Sequence, residues 1–192
     1  MKRIFAIIVS LLLVVSCGGG FSSTERQTIM GGEGDVMQVM SIANRSDSLL
    51  LRSCSQPVSE QMASTEEFAT LCRRMLATVQ SPQHDGVGIA APQVGILREV
   101  VAVQRFDKQD APFEVFVNPK IRTFLGQKQS GGEGCLSVPD RRGDVERFRK
   151  IVLEYRDTEF CPHLDTIEGF TAVIFQHEVD HLRGRLYIDK EL

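Results

Sequence analysis

The sequence predicts an α+β domain: antiparallel sheet packed around a C-terminal helix that carries metal ligands, with a second helix nearer the N-terminus. Three observations predict it. Apolar residues recur at helical spacing over residues 64–79 and again over 169–183. Three runs rich in Val, Ile, Phe and Tyr lie between those helices. The second helix contains His177-Glu178-Val179-Asp180-His181. A helix, several strands and a closing helix favour helices laid on antiparallel sheet. With 192 residues and 42% hydrophobic content, the chain can bury one core of ordinary size. Acidic residues exceed basic ones by 25 to 22, and no basic stripe runs through the chain, which argues against a nucleic-acid partner. No internal repeat suggests a solenoid.

The N-terminus poses a separate problem. Lys2 and Arg3 precede an apolar run from Ile4 to Val15, the length of a signal-peptide core and too short to span a bilayer. It ends at Val14-Val15-Ser16-Cys17, which is similar to a bacterial lipobox. Residues 1–16 therefore read as a lipoprotein signal peptide, with Cys17 as the lipidated mature N-terminus anchoring the chain to a membrane. Residues 17–45, rich in Gly, Ser and Thr, read as the lipidated cysteine followed by a flexible spacer. Within it Met37, Val39, Met40 and Ile42 are apolar enough to dock, and the catalytic domain is expected over 46–192.

The first helix of the domain is expected from a capping-box pattern at Ser64 and Glu67, with apolar Phe68, Leu71, Cys72, Met75, Leu76 and Val79. Ser81-Pro82 stops it. The stretch "HDGVGIAAPQVGI", residues 84–96, has the glycines of a loop or irregular edge shaped for close backbone approach. Strands are expected at Glu99 to Phe106, Phe113 to Ile121 and Lys150 to Arg156. The closing helix runs from about Gly169 to Arg183, with Gly184 as its cap.

His177 and His181, four residues apart on that helix, project from one face toward a single ion, and Glu178 stands beside them as a proton acceptor. Tyr187 occupies the position where long zinc-protease patterns place a third histidine, and only Glu191 remains as a later glutamate. The third ligand must lie upstream, among His84, His163, a carboxylate or a cysteine. Cys135 is the best choice, because "GGEGCLSVP" combines a flexible backbone with a soft thiolate suited to zinc or ferrous iron. Two imidazoles and one thiolate leave a fourth position open, the mark of a catalytic ion.

Three segments together, Gly86-Val87-Gly88-Ile89-Ala90-Ala91-Pro92-Gln93, Glu133-Gly134-Cys135-Leu136-Ser137 and Gln176-His177-Glu178-Val179-Asp180-His181, resemble the motifs of peptide deformylase in order and spacing. The resemblance extends over about residues 48–192. It implies removal of the N-formyl group from formylmethionyl peptides, with a metal-bound hydroxide attacking the formyl carbon and Glu178 as general base. It implies Cys135, His177 and His181 as metal ligands, holding Fe2+ by family habit, with Zn2+ or Ni2+ as alternatives. Gln93, through its side-chain amide, and Leu136, through its backbone N–H, would stabilise the oxyanion. Val87, Phe170 and Ile174 would line the methionine pocket, and Gly88 and Gly134 would admit the peptide backbone. Asp180 would support the site through an ion pair with Arg147.

Deformylation ordinarily serves nascent chains in the cytoplasm, whereas a lipobox implies an extracytoplasmic, membrane-anchored enzyme; a cytoplasmic location is the alternative. Asp140-Arg141-Arg142 departs from relatives that carry glycine after the proline, which bears on substrate preference. Cys54, Cys72 and Cys161 form an odd set from which one disulfide is conceivable. The chain is expected to be a monomer. The competing reading is a non-catalytic lipoprotein that binds formyl-peptides or metal in a retained cleft.

Overall fold

The computed structural model describes residues 19–192; the expected signal peptide over 1–16 and Cys17 lie outside the described residues. The ordered elements begin with α1 (Ser23–Met30), α2 (Arg45–Leu51), α3 (Glu60–Ala63) and α4 (Glu66–Val79). Five strands follow: β1 (Gly88–Ala90), β2 (Val100–Gln104), β3 (Phe113–Cys135), β4 (Val138–Arg156) and β5 (Pro162–Glu168). The chain closes with α5 (Gly169–Leu182). The strands form one antiparallel sheet in sequence order, β1-β2-β3-β4-β5. This is the expected α+β class.

β2 explains the layering. Successive side chains of a strand point to opposite faces. Val100 and Ala102 enter the core shared with α4, while Val101 and Val103 enter the core shared with α5. The strand is buried on both faces, so it reads as an unbroken apolar run rather than an alternation. α4 and α5 thus cover opposite sides of the same strand.

Several boundaries differ from the expectation. The first domain helix is capped by Thr65, not Ser64: the Thr65 hydroxyl accepts from the Phe68 N–H. α5 ends at Leu182 with Arg183 as C-cap, and Gly184 follows at φ +66°, where its backbone packs against that of Arg52. Residues 84–96 contain β1 and a short 3-10 turn, Ala91–Val94. The largest difference is the β3–β4 hairpin, whose outer halves over residues 122–134 and 138–149 pair along their length. Their side chains are mostly exposed and polar, so they leave little apolar pattern to read.

The segment read as a spacer is also different. From residue 19 onward it is packed on the domain, with Phe21, Ile29 and Met37 buried in the α4 core. Glycine and serine content suggested flexibility, but a few apolar residues and backbone hydrogen bonds suffice to hold an extended chain in place. The Met40 N–H donates to the Gln93 carbonyl at 2.7 Å, and the Ile42 N–H to the Ser137 carbonyl at 3.0 Å.

Candidate metal centre

The site forms where three elements meet: the N-terminal side of β1 with its 3-10 turn, the β3–β4 turn, and α5. β3 ends at Cys135, β4 starts at Val138, and the pair Cys135↔Val138 closes a turn formed by Leu136 and Ser137. That tight turn places Cys135 beside the helix. Its sulfur lies 3.2 Å from His181 Nε2. Ligand atoms of Cys135, His177 and His181 all lie within 4.8 Å of one another, the one such group among the described residues. Both histidines face the same way because one helical turn separates them.

The surroundings suit a cation. The Glu133 carboxylate contacts His177 Nδ1 at 2.8 Å, which leaves Nε2 to face the cluster. Burial opposes the charge on Glu133, but its hydrogen bonds to His177 and Arg147 outweigh burial and hold its carboxyl down to about 2. Burial likewise opposes a proton on His177, yet hydrogen bonds to Cys135 and Glu133 push it up to about 10. The Glu133 carboxylate beside His177 favours positive charge there, and a metal ion bound at the ligand nitrogen would have to displace the proton that competes for it. Burial, joined by the His177 and Arg147 charges, holds His181 well below the ordinary histidine value; it stays a neutral imidazole. The donor set, one sulfur and two imidazole nitrogens beside a carboxylate, fits zinc or ferrous iron.

Arg147 organises the support. It donates to Glu133 at 2.8 and 3.1 Å and pairs with Asp180, all three side chains being buried. Lys190 straddles the same carboxylate, donating to Asp180 Oδ1 at 2.8 Å and to Oδ2, which it shares with Arg147, at 2.6 Å. Glu133 therefore joins a ligand to this ion-pair chain. Ser137 and Gln176 were not singled out. Gln176 bonds the Phe148 backbone with both ends of its amide, tying α5 to β4.

Glu178 sits on the cleft side of α5. Burial pushes its carboxyl up to about 7, against the pull of His177. Its Oε2 is buried without a protein partner, and its Oε1 packs on Gly88, where a Cβ would stand 2.5 Å away. Any side chain at Gly88 would displace the carboxylate. Gln93 is held by its own turn: its Oε1 accepts from the Ala90 N–H at 2.8 Å. Its Nε2 then points at the Ser137 hydroxyl, 3.3 Å away, and the Cys135 sulfur, 3.5 Å away. The Leu136 N–H donates to no protein acceptor among the described residues.

These groups open into a cleft of about 860 Å³. Val87, Gly88, Gln93, Gly134, Cys135, Leu136, Phe170, Ile174, His177 and Glu178 all line it. Ile174 is buried, Val87 half-buried, and Phe170 is exposed against Phe106, with ring centroids 5.4 Å apart. The other ligand candidates fall elsewhere. His163 pairs with Asp157 at 2.8 Å on β5, and His84 lies on the cleft rim away from the cluster. Cys54, Cys72 and Cys161 are free thiols; Cys72 is buried in the α4 core, where burial pushes its thiol up to about 12.

Comparison with known proteins gives a consistent result. A family model described as polypeptide deformylase matches residues 39–191. A peptide deformylase of Leptospira biflexa is 39% identical over 162 residues, 81% of this chain and 87% of its own. Peptide deformylase 2 of Vibrio cholerae is 40% identical over 131 residues, 68% of this chain and 76% of its own. The Met-Ala-Ser-bound class I type b peptide deformylase of Acinetobacter baumannii superposes with a TM-score of 0.71 at 37% identity, covering 81% of this chain and 98% of its own.

Proposed function

We infer the residue roles from one premise: the chain belongs to the polypeptide deformylase family. It is a hydrolase that removes the N-formyl group from peptides. We propose that Cys135, His177 and His181 hold the divalent ion, with Fe2+ as the resident metal and Zn2+ or Ni2+ as competitors. Such an ion supplies Lewis acidity, making water easier to deprotonate and drawing electron density from a carbonyl oxygen. The protein supplies everything else.

Glu178 accepts the proton of the attacking water at its free Oε2 and passes it to the departing amide nitrogen. Its raised pKa of about 7 suits both halves of that task. As the formyl carbon becomes tetrahedral, negative charge collects on its oxygen. Gln93 Nε2, aimed by the Ala90 bond, and the unpaired Leu136 N–H both donate to that oxygen. Each such donor is worth about 3 kcal/mol in the transition state. The exposed ring of Phe170 with Val87 and Ile174 receives the methionine side chain, and Gly88 and Gly134 let the peptide backbone lie along the cleft walls. A formyl carbon bears only hydrogen, so a close-walled pocket excludes an acetyl group by size.

The observation that carries this reading is the convergence of the three ligand atoms beside a partnerless Glu178 carboxylate oxygen and an oriented Gln93 amide. A complete set of groups argues for turnover over mere capture. Incubating the protein with formyl-Met-Ala-Ser should release formate, and Glu178→Gln should stop it while the metal content stays constant. Formate release at the original rate from that variant would overturn the assignment.

The leader and Cys17 support the further proposal that the enzyme is a monomeric lipoprotein acting outside the cytoplasm. Among the described residues no helix is long and apolar enough to cross a membrane. Recovery of unlipidated protein from cytosol would refute this location.

A further inference from the structure

The two groups that face the developing oxyanion sit on different turns. Gln93 belongs to the 3-10 turn Ala91–Val94, and Leu136 to the turn that joins β3 to β4. Two donors cooperate only if both stand about 2.7–3.1 Å from one oxygen, so the spacing between these turns matters as much as either group. The sheet does not set that spacing directly, because β2 lies between β1 and β3. The Gln93 amide reaches across to Ser137 Oγ at 3.3 Å, longer than an ordinary N–H···O bond.

A third segment spans the gap. The Met40 N–H donates to the Gln93 carbonyl at 2.7 Å, and the Ile42 N–H donates to the Ser137 carbonyl at 3.0 Å. The N–H between them, of Ser41, turns the other way and donates to Asp47 Oδ2 at 3.2 Å. One acceptor belongs to Gln93 itself, and the other to the residue next to Leu136. Both ends of the segment are fastened. Upstream, the Met37 N–H donates to Thr78 Oγ1 at 2.8 Å, and the Met37 side chain is buried in the α4 core. Downstream, the Asn44 side chain caps α2 by accepting from the Ser46 and Asp47 N–H groups. Ile42 packs beside Val138 and Tyr187. No residue of 39–43 lines the cleft, so the segment touches neither substrate nor reacting atoms.

We propose that Met40 and Ile42 are positioning residues: their backbone N–H groups clamp the Gln93 turn to the Leu136 turn and so set the distance between the two oxyanion donors. This rests on the reading of Gln93 and Leu136 as those donors. Loosening the clamp leaves the metal ligands and ground-state binding in place. It weakens a contact that matures only in the transition state, and so it lowers kcat and spares KM.

The test removes one N–H at a time from the full chain. Residue 40 or 42 is replaced by its α-hydroxy acid, which turns the amide into an ester of the same shape. With formyl-Met-Ala-Ser, the ester at position 40 should lower kcat by about tenfold, less than the about 10²-fold expected for losing the Gln93 amide outright, with KM and metal per chain unchanged. In a Gln93→Ala background the same ester should cost under about twofold, because the donor it holds is gone. The ester at position 42 should keep its cost there, since it acts through Leu136. Met40→Leu, which keeps the N–H, should match the parental kcat. Met40→Gly keeps the N–H but frees the backbone, and should show a smaller loss with the same dependence on Gln93. Parental kcat from the position-40 ester would overturn the clamp. So would losses in the ester and in Met40→Gly that are equal with and without Gln93, the mark of general loosening. The two layers separate: an unchanged kcat in Gln93→Ala alone refutes the oxyanion assignment, whereas a slowed Gln93→Ala beside an unaffected ester refutes only the clamp.

Discussion

α4 and α5 are each 14 residues long and lie on opposite faces of β2, yet they are built on opposite terms. α4 buries one stripe, Phe68, Leu71, Cys72, Met75 and Val79, and turns Arg73 and Ala69 to solvent or toward the surface. Its one buried charge, Arg74, is spent on capping α1. α5 is buried on nearly every side and carries Gln176, Glu178, Asp180 and His181 into the interior. Each of these costs desolvation that only a specific partner can offset. α4 holds the fold together, while α5 uses that stability to keep charged and metal-binding groups out of water. The contrast makes quantitative predictions.

The largest effect separates the helices by chemistry. Glu178→Gln should lower kcat by about 10³-fold in a formate-release assay, because a general acid–base group is typically worth that much. Gln93→Ala should lower it by about 10²-fold with little change in substrate binding, since its amide acts on charge that develops only in the transition state. No substitution on the α4 stripe should come near either figure.

Leu71→Ala reverses the picture. Leu71 is fully buried, and its loss should cost about 3 kcal/mol in denaturant unfolding while kcat in native buffer stays put. A drop in kcat as large as that of Gln93→Ala would show that the two faces are not separable.

The same Glu178→Gln variant should be more stable than the parent in the metal-free state, but only at high pH. Burial raises the folded pKa from 4.5 to about 7, so folding favours the protonated acid. The penalty is absent below the unfolded value, grows between 4.5 and about 7, and is full above it. The gain at pH 8 should reach up to about 3 kcal/mol and vanish at pH 4. A pH-independent difference would refute the burial cost. Smallest of all, Arg26→Ala removes an exposed pair at 3.4 Å and should leave the thermal midpoint within error.

The two helices were also legible in different ways. α4 announced itself by periodicity, and only its cap moved by one residue, because the Thr65 hydroxyl and not that of Ser64 reaches the Phe68 N–H. α5 was recognisable from His177, Glu178 and His181, whose spacing is local. The outer β3–β4 hairpin was missed, because exposed polar residues carry no burial signal. The packing of residues 19–38 was legible only at Met37, which was expected to be able to dock and is buried; a low apolar content says nothing about hydrogen bonds donated by Arg74 and Arg98 from more than forty residues away in sequence.

By itself the sequence determined what neighbouring residues dictate: the class of fold, the helical pair of histidines with its glutamate, and the motifs that resemble a deformylase. These follow from spacing along a helix or from residue types within one turn. Only the tertiary structure decided that Glu133 joins His177 to Arg147, that Gly88 must lack a side chain to admit Glu178, and that residues 19–38 lie against α4. Each depends on groups far apart in the chain meeting within a few ångströms, which follows from how the elements pack and is written in no local stretch.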